Sequence, residues 1–403
     1  MVLAHLAPSI FLVFSWLIAL GWLGQALAAL RGMPTLPDLT RIDPGALPPL
    51  PESADTHLTI IVPACNEEES IQASLHSLLA STGLRLQIIA VNDRSSDRTG
   101  AILNQFASSA GQGEGAHRLQ VIHIQELPAG WLGKPHAMAL AARQATSPWL
   151  LFTDGDVIFD PRALELSLRH AVARNTDHLV MVPTLILKTI GEAAVLAAMS
   201  SLAQWTLHLW KVADPRARAF LGSGTFNLVR RQVYEHLGGF EALRMEVVDD
   251  LRLGWLVKRA GFSQSVALGP GLIRIRWLQG ALSIVRLAEK NAFAVLRFRL
   301  GIALLAALGL AVQVVVPLAA LAAGGLASAA GLLAYLSIAM VYLAYRRATR
   351  VSPWMAVFFA PATSIVLFAA LRSIFLALAR KGVVWRGTYY PLSELRRHAG
   401  RGW

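Results

Sequence analysis

Residues 150–160 read LLFTDGDVIFD, and this stretch decides the fold class. The apolar run 150–153 is short and is followed at once by Asp154, Gly155 and Asp156, so it predicts a buried strand that ends in two carboxylates. Carboxylate oxygens are preferred ligands of Mg²⁺ and Mn²⁺, which share their other positions with substrate phosphates. A D-x-D sequence also occurs in ordinary loops, so its place at a strand end is what favours a metal site.

The segments on both sides of this strand alternate between short apolar runs and stretches with helical spacing. Strands that alternate with helices predict an α/β domain with a mostly parallel sheet, covered by helices on both faces. Ligands of such sheets bind at the carboxyl ends of the strands. The predicted strands cover residues 58–62, 86–91, 119–124 and 149–153, and the predicted helices cover residues 68–80, 135–145 and 161–173.

Polar residues follow the first two predicted strands, in the segments VPACNEEES and VNDRSSDRTG. Pro63, Asn66 and Glu67 come after the first strand, and Asp93 comes after the second. Both loops open on the same edge of a parallel sheet, so these residues are candidates for binding a cofactor. Asp93 is the candidate for hydrogen bonds with a base N–H or with ribose hydroxyls. The alternative is that they are loop and helix-capping residues.

A second acidic pair, Asp249 and Asp250, stands in the segment MEVVDDLRLGWLVKRAGF. The apolar spacing after the pair predicts a helix, so one interpretation is that the two carboxylates cap its N-terminus. The other is that Asp250 acts as a general base and takes a proton from an attacking hydroxyl group. Physical chemistry alone leaves both interpretations open.

The composition places part of the chain in lipid, because 55% of its 403 residues are hydrophobic and 15% are charged. The net charge of +12 comes without a nucleic-acid-binding motif, so the expected partner is an anionic bilayer surface and not a nucleic acid. The single cysteine, Cys65, cannot close an intramolecular disulfide. This favours a cytosolic location for the polar domain.

Residues 8–30 carry no charge and are long enough to form a transmembrane helix. A cleaved signal peptide is the alternative, but the basic leader that such peptides need is missing. Arg31 and Arg41 follow the helix, so the N-terminus is expected outside and the next residues inside. The predicted organisation is an anchor at 1–31, a proline-rich linker at 32–56 and the α/β domain at 57–298.

Residues 299–380 return to an apolar composition, with stretches at 300–324, 327–345 and 354–379. A fourth simple crossing would put the basic tail, 381–403, outside, whereas its charge favours the cytosol. Pro361 and Arg372 interrupt the last stretch. We therefore expect a broken re-entrant hairpin that returns the tail to the cytosolic side.

Together these motifs resemble glycosyltransferase family 2 over about residues 57–300. The resemblance implies a Rossmann-like fold called GT-A, a nucleotide-diphospho-sugar donor, a divalent metal and inversion at the anomeric carbon. A UDP-sugar is the expected donor, and Mg²⁺ or Mn²⁺ is the expected cofactor. The motifs, in chain order, are VPACNEEES, VNDRSSDRTG, PAGWLGKPHAM, FTDGDV, GSGTFNLVRR, GGFE and VVDDLRLG.

The resemblance also assigns roles to individual residues. It implies that Asp93 contacts the nucleotide and that Asp154 and Asp156 serve the diphosphate and the metal. Asp250 would be the base, in a pair with Asp249. The resemblance further places Lys134, in the Gly-Trp-Leu-Gly-Lys stretch, near the donor.

Within the family, the flanking apolar segments, the PAGWLGK stretch and the tail VVWRGTYYPLSEL resemble the membrane-bound branch that glycosylates lipids, such as ceramide glucosyltransferases and the hopanoid-associated transferases of bacteria. One departure concerns the Q-x-x-R-W motif, of which Arg276 and Trp277 are present while Ile273 replaces the glutamine. The expected function is transfer of a sugar to a ceramide-, hopanoid- or polyprenyl-like lipid. A processive polysaccharide synthase and a nucleotide-binding transporter or receptor are the alternatives.

Two further segments are candidates for contact with the bilayer. Residues 190–211 fit an interfacial helix, with a buried core helix as the alternative. Residues 286–299 mix basic and apolar side chains, which favours binding to anionic headgroups. The small residues of the GSGTFN segment, 222–227, would let an acceptor approach the backbone closely.

Overall fold

The computed structural model describes residues 2–50, 56–110 and 117–399, and it divides the chain into two compact units. One unit contains the sheet and covers Leu36–Ile186 and Leu209–Arg276. The other is helical and contains the residues up to Thr35, Leu187–His208 and the chain from Trp277 onward.

The described strands and helices follow one another as expected for an α/β domain with flanking helices. The strands are β1 (Leu58–Ala64), β2 (Leu86–Asp93), β3 (His117–Ile124), β4 (Trp149–Phe152), β5 (Val157–Phe159), β6 (His178–Val182), β7 (Thr184–Leu185), β8 (Asn227–Arg230), β9 (Gln264–Leu268), β10 (Ile273–Ile275), β11 (Gly382–Trp385) and β12 (Thr388–Pro391). The helices are α1 (Val2–Gly32), α2 (Ile71–Leu79), α3 (Thr99–Ala110), α4 (Gly133–Ala142), α5 (Ala163–Ala173), α6 (Ile190–Ala203), α7 (Arg231–His236), α8 (Asp249–Arg259), α9 (Ser283–Val295), α10 (Leu300–Ala323), α11 (Gly325–Thr349), α12 (Phe359–Ala379) and α13 (Leu392–His398).

The main sheet has seven strands in the order β3-β2-β1-β4-β8-β6-β9. Strand β8 is antiparallel to both of its neighbours, and the other neighbouring pairs are parallel. The prediction of a mostly parallel α/β sheet is therefore confirmed. The apolar runs form strands because they are buried from both sides, and β1 is buried along its whole length.

The core on one face of this sheet brings strands and helices together. Ile61, Ile89 and Phe152 from the sheet lie in one cluster with Met138 of α4 and Leu253 of α8. Burial of such side chains is the main favourable contribution to folding. The cluster fixes α4 and α8 against the sheet, and both helices carry candidate site residues at their N-termini.

The proline-rich segment before β1 forms short 3₁₀ turns, at Met33–Thr35, Leu39–Arg41 and Pro44–Ala46. The residues after Thr35 pack within the sheet unit, since Leu39 is buried and the N–H of Leu268 donates to the carbonyl of Pro37 at 2.8 Å. These residues cover the outer edge of β9. The described residues 33–50 form no α-helix, and the part of the linker after Thr35 belongs to the sheet unit.

Among the residues that the structure describes, the helical unit contains four helical segments that are long and apolar enough to cross a membrane, at Pro8–Thr35, Leu300–Ala323, Gly325–Thr349 and Pro353–Ala379. Helices α10 and α11 form an antiparallel hairpin at Gly324, whose φ of +79° suits glycine. A Cβ on Gly331 would lie 2.9 Å from the carbonyl oxygen of Pro317, so glycine permits the close approach of these two helices.

The expected interruption of the last apolar stretch at Pro361 and Arg372 is wrong. A short 3₁₀ helix, Pro353–Phe358, precedes α12, and α12 then runs through both residues without a break. Pro361 is tolerated because it lies in the first turn, where the backbone N–H has no partner within the helix. The charge of Arg372 is tolerated because its Nη1 pairs with Glu289 of α9 at 2.6 Å.

The helix predicted within 190–211 ends earlier, at Ala203. Thr189 and Glu192 form a capping box at its N-terminus, and Glu192 is buried with its Oε1 accepting from the N–H of Gly280 at 2.7 Å. Within the helical unit α6 contacts α11 and α12, and its residues Ala194, Val195 and Ala198 are buried. These contacts favour the packed-helix interpretation.

Candidate active site

The carboxyl ends of the central strands meet at one edge of the main sheet. The register pairs Ala64 of β1 with Asn92 of β2, and Ile61 of β1 with Phe152 of β4. The residues that follow each strand therefore open on the same side. The loops after β1 and β2 and the D-x-D segment after β4 therefore start at this edge of the sheet, and they carry the predicted site residues.

The loops after β1 and β2 are tied together by backbone and side-chain hydrogen bonds. The Oδ1 atom of Asn66 accepts from the N–H of Ser96 at 2.8 Å, and the N–H of Asn66 donates to Ser95 Oγ at 3.1 Å. The N–H of Glu67 donates to Thr99 Oγ1 at 2.8 Å. Asn66, predicted as a cofactor-binding residue, thus supports the second loop through its side-chain oxygen.

Asp93 is fully buried at the end of β2 and forms an ion pair with its neighbour Arg94, at 2.8 Å between Oδ1 and Nε. The start of α4 lies against this pair, because a Cβ on Gly133 would be 2.7 Å from Nη2 of Arg94. Burial lowers the pKa of His136, and the nearby carboxylate of Asp93 opposes this effect. Arg94 and His136 belong to this part of the site, and the sequence analysis missed both.

Lys134 connects the two acidic pairs electrostatically. Its Nζ lies 2.5 Å from Oδ1 of Asp154, and the side chain is 10% exposed. Burial lowers the pKa of Lys134, but the carboxylates of Asp154, Asp249 and Asp250 outweigh it and hold this pKa above its usual value. The ammonium group is therefore charged, and it lies in the field of acidic residues that are far apart in sequence.

Asp156 lies in a strongly negative environment. Burial, followed by the charges of Asp154 and Glu67, raises its pKa to about 7. Carboxylates that repel one another in this way are suited to a divalent cation, which would relieve the repulsion. A Cβ on Gly155 would lie 3.8 Å from the carbonyl oxygen of Pro63, so the D-x-D turn also packs on the loop after β1.

The fit of a metal ion depends on the number of oxygen ligands. In residues 2–50, 56–110 and 117–399, no group of three or more His, Cys, Asp or Glu side chains has the arrangement to hold a metal alone. Mg²⁺ is commonly bound by one or two carboxylates together with substrate phosphates. Asp154 and Asp156 fit that kind of site, with a diphosphate completing the coordination.

Asp249 and Asp250 occupy the first turn of α8. Asp249 is 3% exposed. The Oδ1 atom of Asp250 accepts from the N–H of Leu251 at 2.7 Å, and its Oδ2 accepts from the N–H of Gly224 at 2.8 Å. The pair thus lies at a helix N-terminus, as the capping interpretation expects, and within the charge cluster around Lys134, as the functional interpretation needs.

The GSGTFN segment runs next to both acidic pairs. A Cβ on Gly222 would overlap the backbone oxygen of Asp250, so glycine is what allows this approach. The sequence analysis assigned these small residues to an acceptor and missed their contact with the acidic pairs. The only signal in the sequence was the repeated glycine, which indicates a close approach without naming the partner.

Part of the chain is similar to known glycosyltransferases. Residues 59–238 match the family model described as "Glycosyl transferase family 2". The 4,4'-diaponeurosporenoate glycosyltransferases of Staphylococcus aureus strains MRSA252 and NCTC 8325 are each 24% identical over 201 residues. Each match covers 49% of this chain and 50% of the relative, so the similarity spans about half the length of these proteins.

A solved structure is similar over most of the chain. The mannosyltransferase PcManGT from Pyrobaculum calidifontis, in complex with GDP-Man and Mn²⁺, has a TM-score of 0.51 at 15% sequence identity. The match covers 92% of this chain and 98% of that one. Together with the family match, it shows that the sheet unit has the GT-A type of α/β fold.

Proposed function

We propose that this chain, which carries a family 2 glycosyltransferase domain of GT-A fold, is an inverting enzyme that transfers a sugar from a nucleotide-diphospho-sugar to a membrane lipid. One observation carries the proposal. Lys134 lies in the electrostatic field of Asp154, Asp249 and Asp250, and Gly224 is hydrogen-bonded both to the backbone N–H of Asp154 and to the carboxylate of Asp250. A donor-binding group and a candidate base are thus next to each other in a chain with four apolar helical segments.

The donor side of the site consists of Asp93, Lys134, Asp154 and Asp156. Asp93 would accept hydrogen bonds from the nucleotide, and Lys134 would supply a positive charge for the diphosphate. Asp154 and Asp156 would hold Mg²⁺ or Mn²⁺, which would neutralise the diphosphate as it leaves. The Mn²⁺ and GDP-Man of the PcManGT complex support this assignment by analogy of fold.

The acceptor side depends on Asp250. Its carboxylate takes the proton from the acceptor hydroxyl as that oxygen forms a bond to the anomeric carbon. The bond between this carbon and the diphosphate oxygen breaks at the same time, and the nucleoside diphosphate leaves with the electron pair. A single displacement of this kind inverts the anomeric centre. Asp249 contributes negative charge beside Lys134 and so helps to hold the ammonium group in place.

A lipid acceptor is supported by two observations. Four helical segments can lie in a bilayer, and the staphylococcal relatives are named for a diaponeurosporenoate acceptor. A ceramide-, hopanoid- or polyprenyl-like lipid has the hydroxyl and the apolar body that such a site needs. The positive-inside tendency at Arg31 and Arg41 favours a cytoplasmic membrane location with the sheet unit on the cytosolic face.

The basic tail is proposed to lie on the membrane side from which α10 starts. Nη1 of Arg380, just after α12, pairs with Glu289 of α9 at 2.6 Å, and Arg396 Nε donates to the carbonyl of Phe298 at 3.3 Å. Because α10 and α11 form a hairpin, α12 also begins on that side. Because α12 is unbroken, with both ends on one side it would lie along that membrane surface and would not cross the bilayer.

Incubation of membranes that contain the protein with a panel of radiolabelled nucleotide sugars tests the function. The panel contains UDP-glucose, UDP-N-acetylglucosamine and GDP-mannose, each with Mn²⁺ or Mg²⁺. Label from one donor is expected in the organic-extractable fraction, in membranes with the protein and not in matched membranes without it. Label in a water-soluble polymer would support a processive synthase instead, and no incorporation from any donor would contradict the proposal.

A further inference from the structure

The peptide groups of Gly224 join the two acidic pairs of the candidate active site. The N–H of Gly224 donates to Oδ2 of Asp250 at 2.8 Å. Its carbonyl oxygen accepts from the N–H of Asp154, also at 2.8 Å. One residue therefore contacts the side chain of the candidate base and the backbone of the candidate diphosphate and metal ligand.

The absence of a side chain at position 224 leaves room for the charged ends of Asp154 and Lys134. A Cβ there would lie 2.5 Å from Oδ2 of Asp154 and 3.3 Å from Nζ of Lys134. Both of these atoms are at the ends of side chains that can rotate. A methyl group at this position would thus displace the charged groups of the site and leave the backbone in place.

The loop that carries Gly224 is itself held firmly. A Cβ on Gly254 of α8 would overlap the carbonyl oxygen of Leu221, so helix and loop are in direct backbone contact. Gln264 Nε2 donates to the carbonyls of Leu221, at 3.1 Å, and Gly254, at 3.0 Å. On the other side, Thr153 Oγ1 donates to the carbonyl of Thr225 at 2.8 Å. Gly224 is thereby fixed relative to α8 and to the end of β4.

We infer that Gly224 is a positioning residue. Its two peptide groups hold Asp154 and Asp250, and its lack of a side chain leaves room for the charged ends of Asp154 and Lys134. The inference rests on the proposed function, since it concerns the same site. It means that the donor-binding carboxylate and the base are placed by one backbone segment. A change at this position disturbs donor binding and proton transfer together, although Gly224 touches neither reacting group with a side chain.

The variant Gly224→Ala tests this inference in the full-length protein in detergent. Binding of UDP-glucose, UDP-N-acetylglucosamine and GDP-mannose with Mn²⁺ is measured by calorimetry, for whichever of them the unaltered protein binds. The dissociation constant is expected to rise by about tenfold, which corresponds to roughly 1.4 kcal/mol. Transfer to lipid at saturating donor is expected to fall by about a hundredfold, as for a displacement of about 1 Å at a reacting group.

A double-mutant cycle separates positioning from a general loss of structure. With Asp154→Ala, the carboxylate that the new methyl group would displace is absent, so adding Gly224→Ala is expected to cause little further loss of donor binding. Additive losses in the double variant would overturn the inference. Unchanged donor affinity and unchanged transfer in Gly224→Ala alone would also overturn it.

Two other glycine variants are controls for folding. Gly45→Ala meets an ordinary contact, 3.4 Å from Oδ1 of Asp43, and is expected to leave binding, transfer and thermal stability unchanged. Gly222→Ala overlaps the backbone of Asp250 and is expected to lower the melting temperature, whereas Gly224→Ala is expected to keep it. If the unaltered protein binds none of the nucleotide sugars, the proposed function fails and the inference with it. If the unaltered protein binds a nucleotide sugar and transfers it to lipid, and Gly224→Ala does both equally well, the inference alone fails.

Discussion

Individual carboxylates in this site differ in what surrounds them, although their residue type is the same. Asp93 pairs with Arg94, Asp154 pairs with Lys134, and Asp250 accepts two backbone N–H groups. Asp156 lies near Asp154 and Glu67, so its pKa is raised. Such differences in charge and hydrogen bonding are what suit one carboxylate to bind a cation and another to accept a proton.

Asp250→Asn is expected to abolish transfer and to leave nucleotide-sugar binding nearly unchanged. The amide oxygen can still accept from the N–H of Gly224, so the local structure is retained, but an amide does not accept a proton at neutral pH. The loss is on the order of 10²- to 10⁴-fold, as expected for a missing general base. Radiolabel transfer and calorimetric donor binding are the two measurements.

The matched control for Asp250→Asn is Glu241→Gln, which removes one exposed carboxylate that pairs with Arg143. Exposed pairs of this kind contribute little to stability, so both readouts should equal those of the unaltered protein. Turnover by Asp250→Asn at the unaltered rate would exclude Asp250 from the mechanism.

Asp154→Ala is expected to weaken the metal-dependent part of donor binding. It removes a candidate metal ligand and leaves Lys134 without its closest partner. The loss is at least the roughly 10- to 100-fold that changes in the supporting groups of metal sites cause. Donor titrations with Mn²⁺ and with a chelator give the measurement. Equal donor affinity under both conditions in the unaltered protein would argue against a metal role.

Single strands and helices were predicted best where apolar spacing is strong and local. The runs at 58–62 and 86–91 fall within β1 and β2, and the helix predicted at 161–173 is α5 from Ala163. The prediction failed in α12, where Pro361 and Arg372 were read as interruptions. The helix tolerates the charge of Arg372 because Glu289 pairs with it. Glu289 lies on another helix, so the sequence around Arg372 does not indicate this pair.

Three strands of the main sheet are joined by a buried polar network. His178 of β6 lies 3.0 Å from Asn227 Oδ1 of β8 and 2.7 Å from Gln264 Nε2 of β9. Gln264 in turn donates to Leu221, in the loop that leads to Gly224. Buried networks of this kind hold neighbouring elements in one arrangement when their members are satisfied.

Acid is expected to destabilise the sheet unit through this network. Burial lowers the pKa of His178 from 6.5 to about 4, so between these values the unfolded chain binds more protons than the folded chain. The contribution of His178 to folding stability is therefore complete above about pH 6.5 and is lost as the pH falls towards 4. Thermal unfolding in detergent at a series of pH values between 4 and 7.5 measures it.

The variant His178→Gln removes this titration, so its melting temperature should fall less steeply with acid than that of the unaltered protein. His76→Gln, at an exposed position of α2, is the control and should keep the steep dependence. An equally steep profile in His178→Gln would assign the acid sensitivity to other groups.

Across the described part of the chain, the helical unit contains the segments that are long and apolar enough to cross a membrane. Its helices are packed together by contacts in the interior, such as the hydrogen bond of 2.7 Å from Trp22 Nε1 to Gln313 Oε1. Leu304, Leu305 and Leu308 on α10 remain exposed, as expected for side chains that face lipid. Lys290 Nζ lies 4.1 Å from the centre of the ring of Trp385, so the antiparallel pair of β11 and β12 is held against α9.

The C-terminal tail is expected on the same membrane side as the start of α9. With Cys65 replaced by serine, single cysteines at Gln279, Ala323 and Ser393 provide three exposed positions for labelling in sealed vesicles. An impermeant maleimide should label Ser393→Cys together with Gln279→Cys, and Ala323→Cys from the opposite side. Labelling of Ser393→Cys together with Ala323→Cys would show that α12 crosses the membrane.

The amino-acid sequence by itself determined the α/β alternation, the four apolar segments and the placement of acidic residues at strand ends. These features depend on composition and on the spacing of neighbouring residues, so a short stretch of sequence is enough to predict each of them. The tertiary structure decided that Lys134 lies in the electrostatic field of both acidic pairs, that Gly224 bridges Asp154 and Asp250, and that Glu289 binds Arg372. These contacts join residues that are far apart in the chain, and their geometry is fixed only when the sheet and the helices pack.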